Sequence, residues 1–261
     1  MRWWIEIIDI VGDERFLADL LTGLNIALDL QENRTYLTSD QFELLSTNIE
    51  VWEVAKRIRD IVFEVSNGFP DARMSFQLGD YYEQREDGSR CTYEVVYSGS
   101  VSPGRGCVDG ATTTDTPIHE ITEEERARLE AERLERERQE KLALVLPRLV
   151  SAFLDERARK VQRFLQQDLT PARMYHIYEL IKDDLGKKKL DNLASKKDWE
   201  RFSHSVNHQE VFGDDSRHIA SKEKPPANPM SLSEAQAFIS KVADSWFRQK
   251  CVDDSIAQQP R

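Results

Sequence analysis

Residues 2–24 read RWWIEIIDIVGDERFLADLLTGL, and within this stretch the hydrophobic pattern changes from one period to another. The first half is an apolar run rich in isoleucine and tryptophan, which ends at Gly12 and is typical of a β-strand. After the turn, apolar residues recur at helical spacing: Phe16, Leu17, Leu20, Leu21 and Leu24. The stretch therefore predicts a strand followed by a helix, at the start of a mixed α and β domain.

The pattern that follows extends this domain to residue 100. Two extended segments flank a polar turn at residues 32–34, which predicts a hairpin. Thr47 and Glu50 form a capping box before a second amphipathic helix, and two alternating segments then end at Tyr97. The order βαββαββ is that of a ferredoxin-like α+β domain with one additional strand, which we predict for residues 1–100.

The acidic charge of the chain is concentrated in its first half. The net charge is −11, and residues 1–121 carry 10 Lys and Arg against 22 Asp and Glu. Residues 122–261 carry 26 Lys and Arg against 25 Asp and Glu. Because an acidic surface repels phosphate, we expect the N-terminal domain not to bind duplex DNA.

Several protein classes do not fit the sequence. No apolar run approaches the ~18 residues of a membrane-spanning helix, so we expect no membrane insertion. Three widely spaced cysteines, Cys91, Cys107 and Cys251, lack CxxC pairing and argue against a disulfide scaffold or a zinc ribbon. Glycine-rich phosphate loops and GxSxG nucleophile motifs are absent. We therefore predict a cytoplasmic protein without a cofactor.

The second half of the chain is predicted to be helical. Residues 101–121 have the glycine, proline and threonine content of a linker. Thr122 caps a charged helix at 122–141, whose Glu and Arg pairs at i,i+4 contribute about 0.2–0.5 kcal/mol each, and we interpret it as a solvated spacer. A helical bundle is predicted for 142–250, and a disordered tail for 251–261.

Capping residues delimit the helices of the bundle. The first helix begins at Leu142 or, because proline favours the first helical turn, at Pro147. Further N-caps are expected at Thr170, Ser195 and Ser231, each before an apolar stripe at helical spacing.

Arginine and histidine residues crowd into one polar connection of the bundle, from Trp199 to Met230. If the helix continues to His208, then Arg201, His204 and His208 lie at i, i+3 and i+7 on one face. An imidazole can move the proton of a ribose 2′-hydroxyl, and a guanidinium can stabilise charge on a phosphorane. The same residues also fit an ordinary solvated face.

A metal site is a second interpretation of this connection. His204 and His208 at i,i+4 can share one cation. The candidates for a third ligand are Asp214, Asp215 and His218. Because none of them follows at a fixed spacing that is typical of a metal site, we predict no metal.

A structural role is expected for Arg217 and His218. They follow two aspartates, which could pair with Arg217 while both side chains hydrogen-bond the ends of helices. Together with Asn207, they are our candidates for binding rather than catalysis.

Two family resemblances concern the helical part. The segments LTPARMYHIYELIKDDLG, WERFSHSVNH, DDSRH and PPANPMSLSEAQAFI resemble the C-terminal helical module of a group of uncharacterised bacterial proteins, over about residues 142–249. The spacing of Arg201 and His208, with six residues between them, is similar to the Arg-x4–6-His motif of the HEPN superfamily. That resemblance implies a metal-independent endoribonuclease of a toxin or phage-defence system, with Arg201 and His208 catalytic and His204 assisting.

We predict a bacterial binding or interaction module, with a sensor-like N-terminal domain and a helical effector or partner-binding domain. The alternative is the HEPN-like ribonuclease. A protein partner or a homodimer is expected, because ferredoxin-like sheets often pair edge to edge, and RNA is the second candidate partner.

Overall fold

The computed structural model describes residues 2–95 except 32, 86 and 88, residues 122–216 and residues 226–257. Its N-terminal part contains a five-stranded sheet in the order β2-β3-β1-β4-β5, in which all neighbouring strands are antiparallel. The strands are β1 (Arg2–Val11), β2 (Ala27–Gln31), β3 (Arg34–Thr38), β4 (Ser75–Gln84) and β5 (Arg90–Tyr93). Helices α1 (Glu14–Thr22), α2 (Asp40–Glu43) and α3 (Asn48–Ser66) accompany them. The expected mixed α and β domain is confirmed.

Alternation along β1 gives the sheet two buried faces. Trp3, Ile5 and Ile7 enter a core that α1 and α3 complete. Trp4 lies on the opposite face, where its ring stacks on Tyr82 with the centroids 6.0 Å apart. Successive residues of β1 therefore place apolar side chains on both faces of the sheet.

The C-terminal part is helical, as expected. Helices α5, α6, α8 and α10 surround a second core in which Phe202, Trp246 and Phe247 are fully buried. Within the described part of the chain, each helix is too short or too polar to cross a lipid bilayer. The helices are α4 (Glu123–Leu154), α5 (Glu156–Leu165), α6 (Pro171–Leu185), α7 (Lys187–Leu190), α8 (Lys196–Asn207), α9 (Gln209–Phe212) and α10 (Leu232–Ala257).

Helix α4 joins the two parts without interruption. It has 32 residues and contains Pro147, so the helix starts at neither Leu142 nor Pro147, contrary to expectation. Thr122 caps it, as predicted, and its charged first half is mostly exposed. Four buried residues of its second half belong to the first core rather than the second: Val145, Leu149, Val150 and Ala152.

Helix α10 continues beyond its predicted end. It reaches Ala257 and so includes much of the segment 251–261 that we expected to be a tail. Cys251 packs against the first core, which gives this last part of the helix an apolar contact. The predicted linker at 101–121 lies outside the described residues.

Asp155 separates α4 from α5. Its carboxylate accepts a hydrogen bond from the Arg157 backbone N–H at 2.7 Å and pairs with Lys250 Nζ at 2.8 Å. Lys250 also pairs with Asp184 at 3.3 Å, and Asp184 accepts a hydrogen bond from Trp246 Nε1 at 3.0 Å. These contacts fix the start of α5 against the ends of α6 and α10.

Glu64 connects the sheet domain to the helical part. It accepts two hydrogen bonds from Arg159, both 2.8 Å long, and one from Arg163 at 3.2 Å. Burial raises the pKa of Glu64, but the hydrogen bonds and charges of the two arginines outweigh this effect and hold it below the ordinary value. The ionised carboxylate therefore stabilises the folded state.

We expect Gly12→Ala to be more destabilising than Gly186→Ala. Both glycines have positive φ, +113° and +71°, so alanine at either position costs about 1–3 kcal/mol in backbone strain. Only at Gly12 would the new Cβ also collide, because it would lie 2.7 Å from the Arg73 carbonyl oxygen. Urea unfolding of both variants measures the difference, and equal losses would contradict the steric argument.

Glu64 should make stability depend on acidic pH. Because folding lowers the pKa of Glu64, its contribution is present above its ordinary value of 4.5 and is lost as pH falls through the folded value. Glu64→Gln should remove on the order of 1 kcal/mol at neutral pH and flatten this part of the acid profile. Melting temperatures of wild type, Glu64→Gln and the surface control Glu140→Gln at several pH values test this, and parallel wild-type and Glu64→Gln profiles would refute it.

Candidate functional site

Helix α8 carries the predicted arginine and histidine motif. Ser195 caps it by accepting a hydrogen bond from the Asp198 backbone N–H at 3.2 Å. Trp199, Phe202 and Val206 are buried in the second core, as their spacing predicts. Arg201 and His204 therefore lie away from the core, on the polar side of the helix.

Arg201 holds the chain that leads into α10. Its guanidinium donates to the carbonyl oxygens of Asn228 at 2.9 Å and Pro229 at 3.2 Å. It also pairs with Glu234 at 3.3 Å, and Glu234 accepts a hydrogen bond from the Ser231 backbone N–H at 2.8 Å. Arg201 thus closes the capping box at the start of α10, which is a structural role.

His208 lies outside α8 rather than on its exposed face. The helix ends at Asn207, and His208 has φ −101° and ψ 121°. The side chain is buried, and its Nδ1 accepts a hydrogen bond from the Glu210 backbone N–H at 3.2 Å, which caps α9. The condition under which Arg201, His204 and His208 would share one helical face is therefore not met.

Asn207 is packed at the same junction. Its amide nitrogen donates to Ser203 Oγ at 3.5 Å, while its buried Oδ1 has no hydrogen-bond partner among the described residues. Neighbouring Ser205 donates to the Arg201 carbonyl at 2.7 Å and accepts from the Met230 backbone N–H at 2.8 Å. This junction contributes to the packing of the 226–230 segment against α8.

His204 is exposed and lines a cavity of about 520 Å³ between α6, α7 and α8. Neither Arg201 nor His208 reaches this cavity. Its floor is formed by three partly or fully buried side chains: Tyr178, Leu190 and Trp199. Polar residues surround the opening: Lys182, Asp191, Lys196, Glu200, Ser203 and His204.

The aromatic floor of the cavity is held in place by ring packing and by one hydrogen bond. The rings of Tyr178 and Trp199 lie 5.1 Å apart at 42°. Trp199 Nε1 donates to the Leu190 carbonyl at 3.1 Å, which fixes the indole and satisfies its only donor. The floor therefore offers π surface and aliphatic surface, but no free hydrogen-bonding group from the indole.

Charges of both signs lie at the opening. Lys182 Nζ is 5.3 Å from the centroid of the Tyr178 ring, and Lys196 pairs with Glu200 at 3.8 Å. Both residues of the Lys196–Glu200 pair are well exposed, so solvent screens their attraction. This arrangement suits recognition of a polar partner around an apolar anchor, rather than capture of a single strong charge.

The sequence alone did not identify most of this cavity. Tyr178 fits the core stripe of α6, and Lys182 fits its solvated side, so neither stands out. The available signal is that Tyr178 and Lys182 are four residues apart, as are Lys196 and Glu200. Only the packing of α6 against α8 shows that the two pairs border one cavity.

The remaining site predictions have separate outcomes. Arg217 and His218 lie outside the described residues. Within the described ranges, no group of three or more His, Cys, Asp and Glu side chains is positioned to hold a metal ion. No protein-family model, curated protein or solved structure matches the chain. The family resemblances therefore stay predictions, and function has to be inferred from geometry.

Arg201→Ala and His204→Ala should differ in their effect on stability. Loss of the Arg201 contacts should lower the free energy of unfolding by about 1–2 kcal/mol, because charged hydrogen bonds to two carbonyl groups and the ion pair with Glu234 are lost. His204→Ala should change it by less than about 0.5 kcal/mol, as for other exposed positions. Chemical denaturation measures both, and an unchanged stability of Arg201→Ala would show that the guanidinium has no structural role.

Proposed function

We propose that the protein is a binding and interaction module, and that the cavity between α6 and α8 receives one side chain of a peptide segment from a partner protein. The observation that carries this proposal is that His204 borders an aromatic cavity, whereas Arg201 and His208 serve the local fold. The volume of about 520 Å³ lies within the range of ligand pockets.

The cavity has the organisation of a protein interaction hot spot. Tryptophan and tyrosine form its centre, and residues of both charge signs form its rim. Central aromatic pockets supply most of the affinity in such interfaces, while polar rims supply specificity. An aromatic or aliphatic anchor would pack on Tyr178 and Trp199, and neighbouring polar groups would contact Lys182 and His204.

The topology of the N-terminal domain is compatible with many functions, a sensor role among them. We infer a ferredoxin-like arrangement, because β1 lies between β3 and β4, the neighbours are antiparallel, and α1 and α3 pack on one face. β5 would be the additional strand. A homodimer through the β2 edge also stays a proposal, and 70% exposure of Leu30 leaves one side chain of that edge uncovered.

The HEPN-like ribonuclease stays the alternative hypothesis. It requires a guanidinium and an imidazole that reach the same phosphate. Arg201 is engaged by two carbonyl groups and Glu234, and His208 is buried where α8 meets α9. Catalysis by this pair would therefore require rearrangement of the α10 cap, and the geometry gives the binding proposal more support.

Selection from a phage-displayed library of random peptides on the purified chain tests the binding proposal. We expect peptides that share an aromatic or aliphatic anchor and that shift the Trp199 indole signal in NMR spectra. His204→Ala and Lys182→Ala should each weaken binding about tenfold, equivalent to ~1.4 kcal/mol. The matched control is His176→Ala, because His176 is an exposed histidine of α6 outside the cavity.

Three outcomes would count against the binding module. The first is that no peptide is selected, and the second is that selected peptides bind all three variants as tightly as wild type. The third is metal-free cleavage of single-stranded or transfer RNA that is lost in both Arg201→Ala and His208→Ala while circular dichroism shows intact folding. The third result would establish the ribonuclease instead.

A further inference from the structure

A cleft of about 470 Å³ lies in the N-terminal domain, away from the motif of α8. Its walls are the turn between β1 and α1, the 3-10 turn Pro70–Ala72 with the two residues before β4, and the charged half of α4. Gly12 allows this geometry, because a Cβ there would collide with Arg73 and Met74. The close approach brings the first turn of α1 beside the residues that precede β4.

Most carboxylates in this cleft already have partners. Asp13 caps α1 by accepting hydrogen bonds from the backbone N–H groups of Arg15 and Phe16, at 2.9 and 3.3 Å. Glu135 pairs with Arg138 at 2.8 Å and also accepts a hydrogen bond from Gln139. Glu137 lies 3.7 Å from Arg133. Neither Asp13 nor Asp71 has an ion pair with the described residues, and Asp71 also lacks a side-chain hydrogen bond to them.

Fewer of the cationic side chains of the cleft form hydrogen bonds or ion pairs with the described residues. Arg138 is committed, because it bridges Asp19 of α1 at 2.8 Å and Glu135. By contrast, the side chains of Arg15, Arg73 and Lys141 make no hydrogen bond or ion pair within the ranges that the structure describes, although the charge of Arg15 helps to lower the pKa of Glu135. Both arginines are exposed residues at the cleft. The cleft thus presents guanidinium groups whose charge is not neutralised by a direct contact.

Apolar surface lies beside these guanidinium groups. Phe16, Ala72 and Met74 form a buried floor, with exposures of 3%, 5% and 3%. Leu134 of α4 lines the opposite wall and is 53% exposed. A ligand in the cleft can therefore cover a large aliphatic side chain and pair with arginine at the same time.

We propose that this cleft binds a small organic oxyanion, a carboxylate or a phosphate monoester, whose head pairs with Arg15 and Arg73 and whose apolar body packs on Leu134. Guanidinium groups bind both kinds of oxyanion through paired hydrogen bonds. The volume suits a small molecule. The cleft shares no residue with the cavity beside His204, so this inference stands apart from the peptide proposal.

Calorimetric titration of the full chain with four probes tests the inference: phenylacetate, phenyl phosphate, inorganic phosphate and the neutral analogue phenylacetamide. We expect at least one organic anion to bind, phenylacetamide not to bind, and inorganic phosphate to bind more weakly because it lacks the apolar body. The stronger of phenylacetate and phenyl phosphate identifies the preferred head group.

Matched charge variants locate the site. Arg15→Gln and Arg73→Gln should each weaken binding about tenfold, and Leu134→Ser should weaken it by a smaller factor. Arg126→Gln is the control, because Arg126 is an exposed arginine of α4 outside the cleft, and it should bind like wild type.

The inference is overturned if neither organic anion binds to wild type at millimolar concentration. It is also overturned if Arg15→Gln and Arg73→Gln bind as Arg126→Gln does, since that would indicate attraction by overall charge only. Thermal unfolding of each variant shows whether the fold is intact. If an arginine variant fails to fold, Leu134→Ser provides the test, because it retains both arginines and removes only the apolar contact.

Discussion

The position of helix α4 in both halves of the protein is the constraint on which the rest of the structure depends. Its first half is largely charged. Pairs at i,i+4 contribute only a few tenths of a kcal/mol each, which does not secure a long helix in water. Burial of Leu149 and Ala152 in the first core supplies the missing stabilisation. The bond between Arg138 and Asp19 then holds the charged half against α1, so this half is a wall of the domain rather than a free spacer.

Local chemistry explains why many elements could be predicted. Thr47, Thr170 and Ser195 each accept a backbone N–H within their own first helical turn, so the signal lies in neighbouring residues. Neighbouring residues do not reveal that the helix continues through Pro147. Proline in a helix interior destabilises the helix by about 3 kcal/mol. Burial of the residues on either side of Pro147 offsets this cost and keeps α4 continuous. Their partners are distant in sequence, so the pattern favours a break where the packing maintains a helix.

The candidate site shows the same limit more strongly. The spacing of Arg201 and His208 suggests proximity only if the helix continues, and the helix ends at Asn207. The partners that decide the role of Arg201 are the carbonyl groups of Asn228 and Pro229 and the carboxylate of Glu234, which are 27, 28 and 33 positions away. Periodicity does identify Trp199 and Phe202 as core residues. It carries no information about the packing of α6 on α8, which creates the cavity.

The cleft and the cavity communicate only if the elements between them have two stable arrangements. Helix α10 is the candidate link, because it packs on α4, α6 and α8. Arg148 of α4 pairs with Asp244, and its guanidinium lies 5.6 Å from the Phe247 ring. Farther along α10, Lys250 joins Asp155 and Asp184. A ligand shifts such an assembly only by its difference in affinity for two states, and this interlocked set of charges and rings favours one. The packing therefore favours independent action of the two proposed sites.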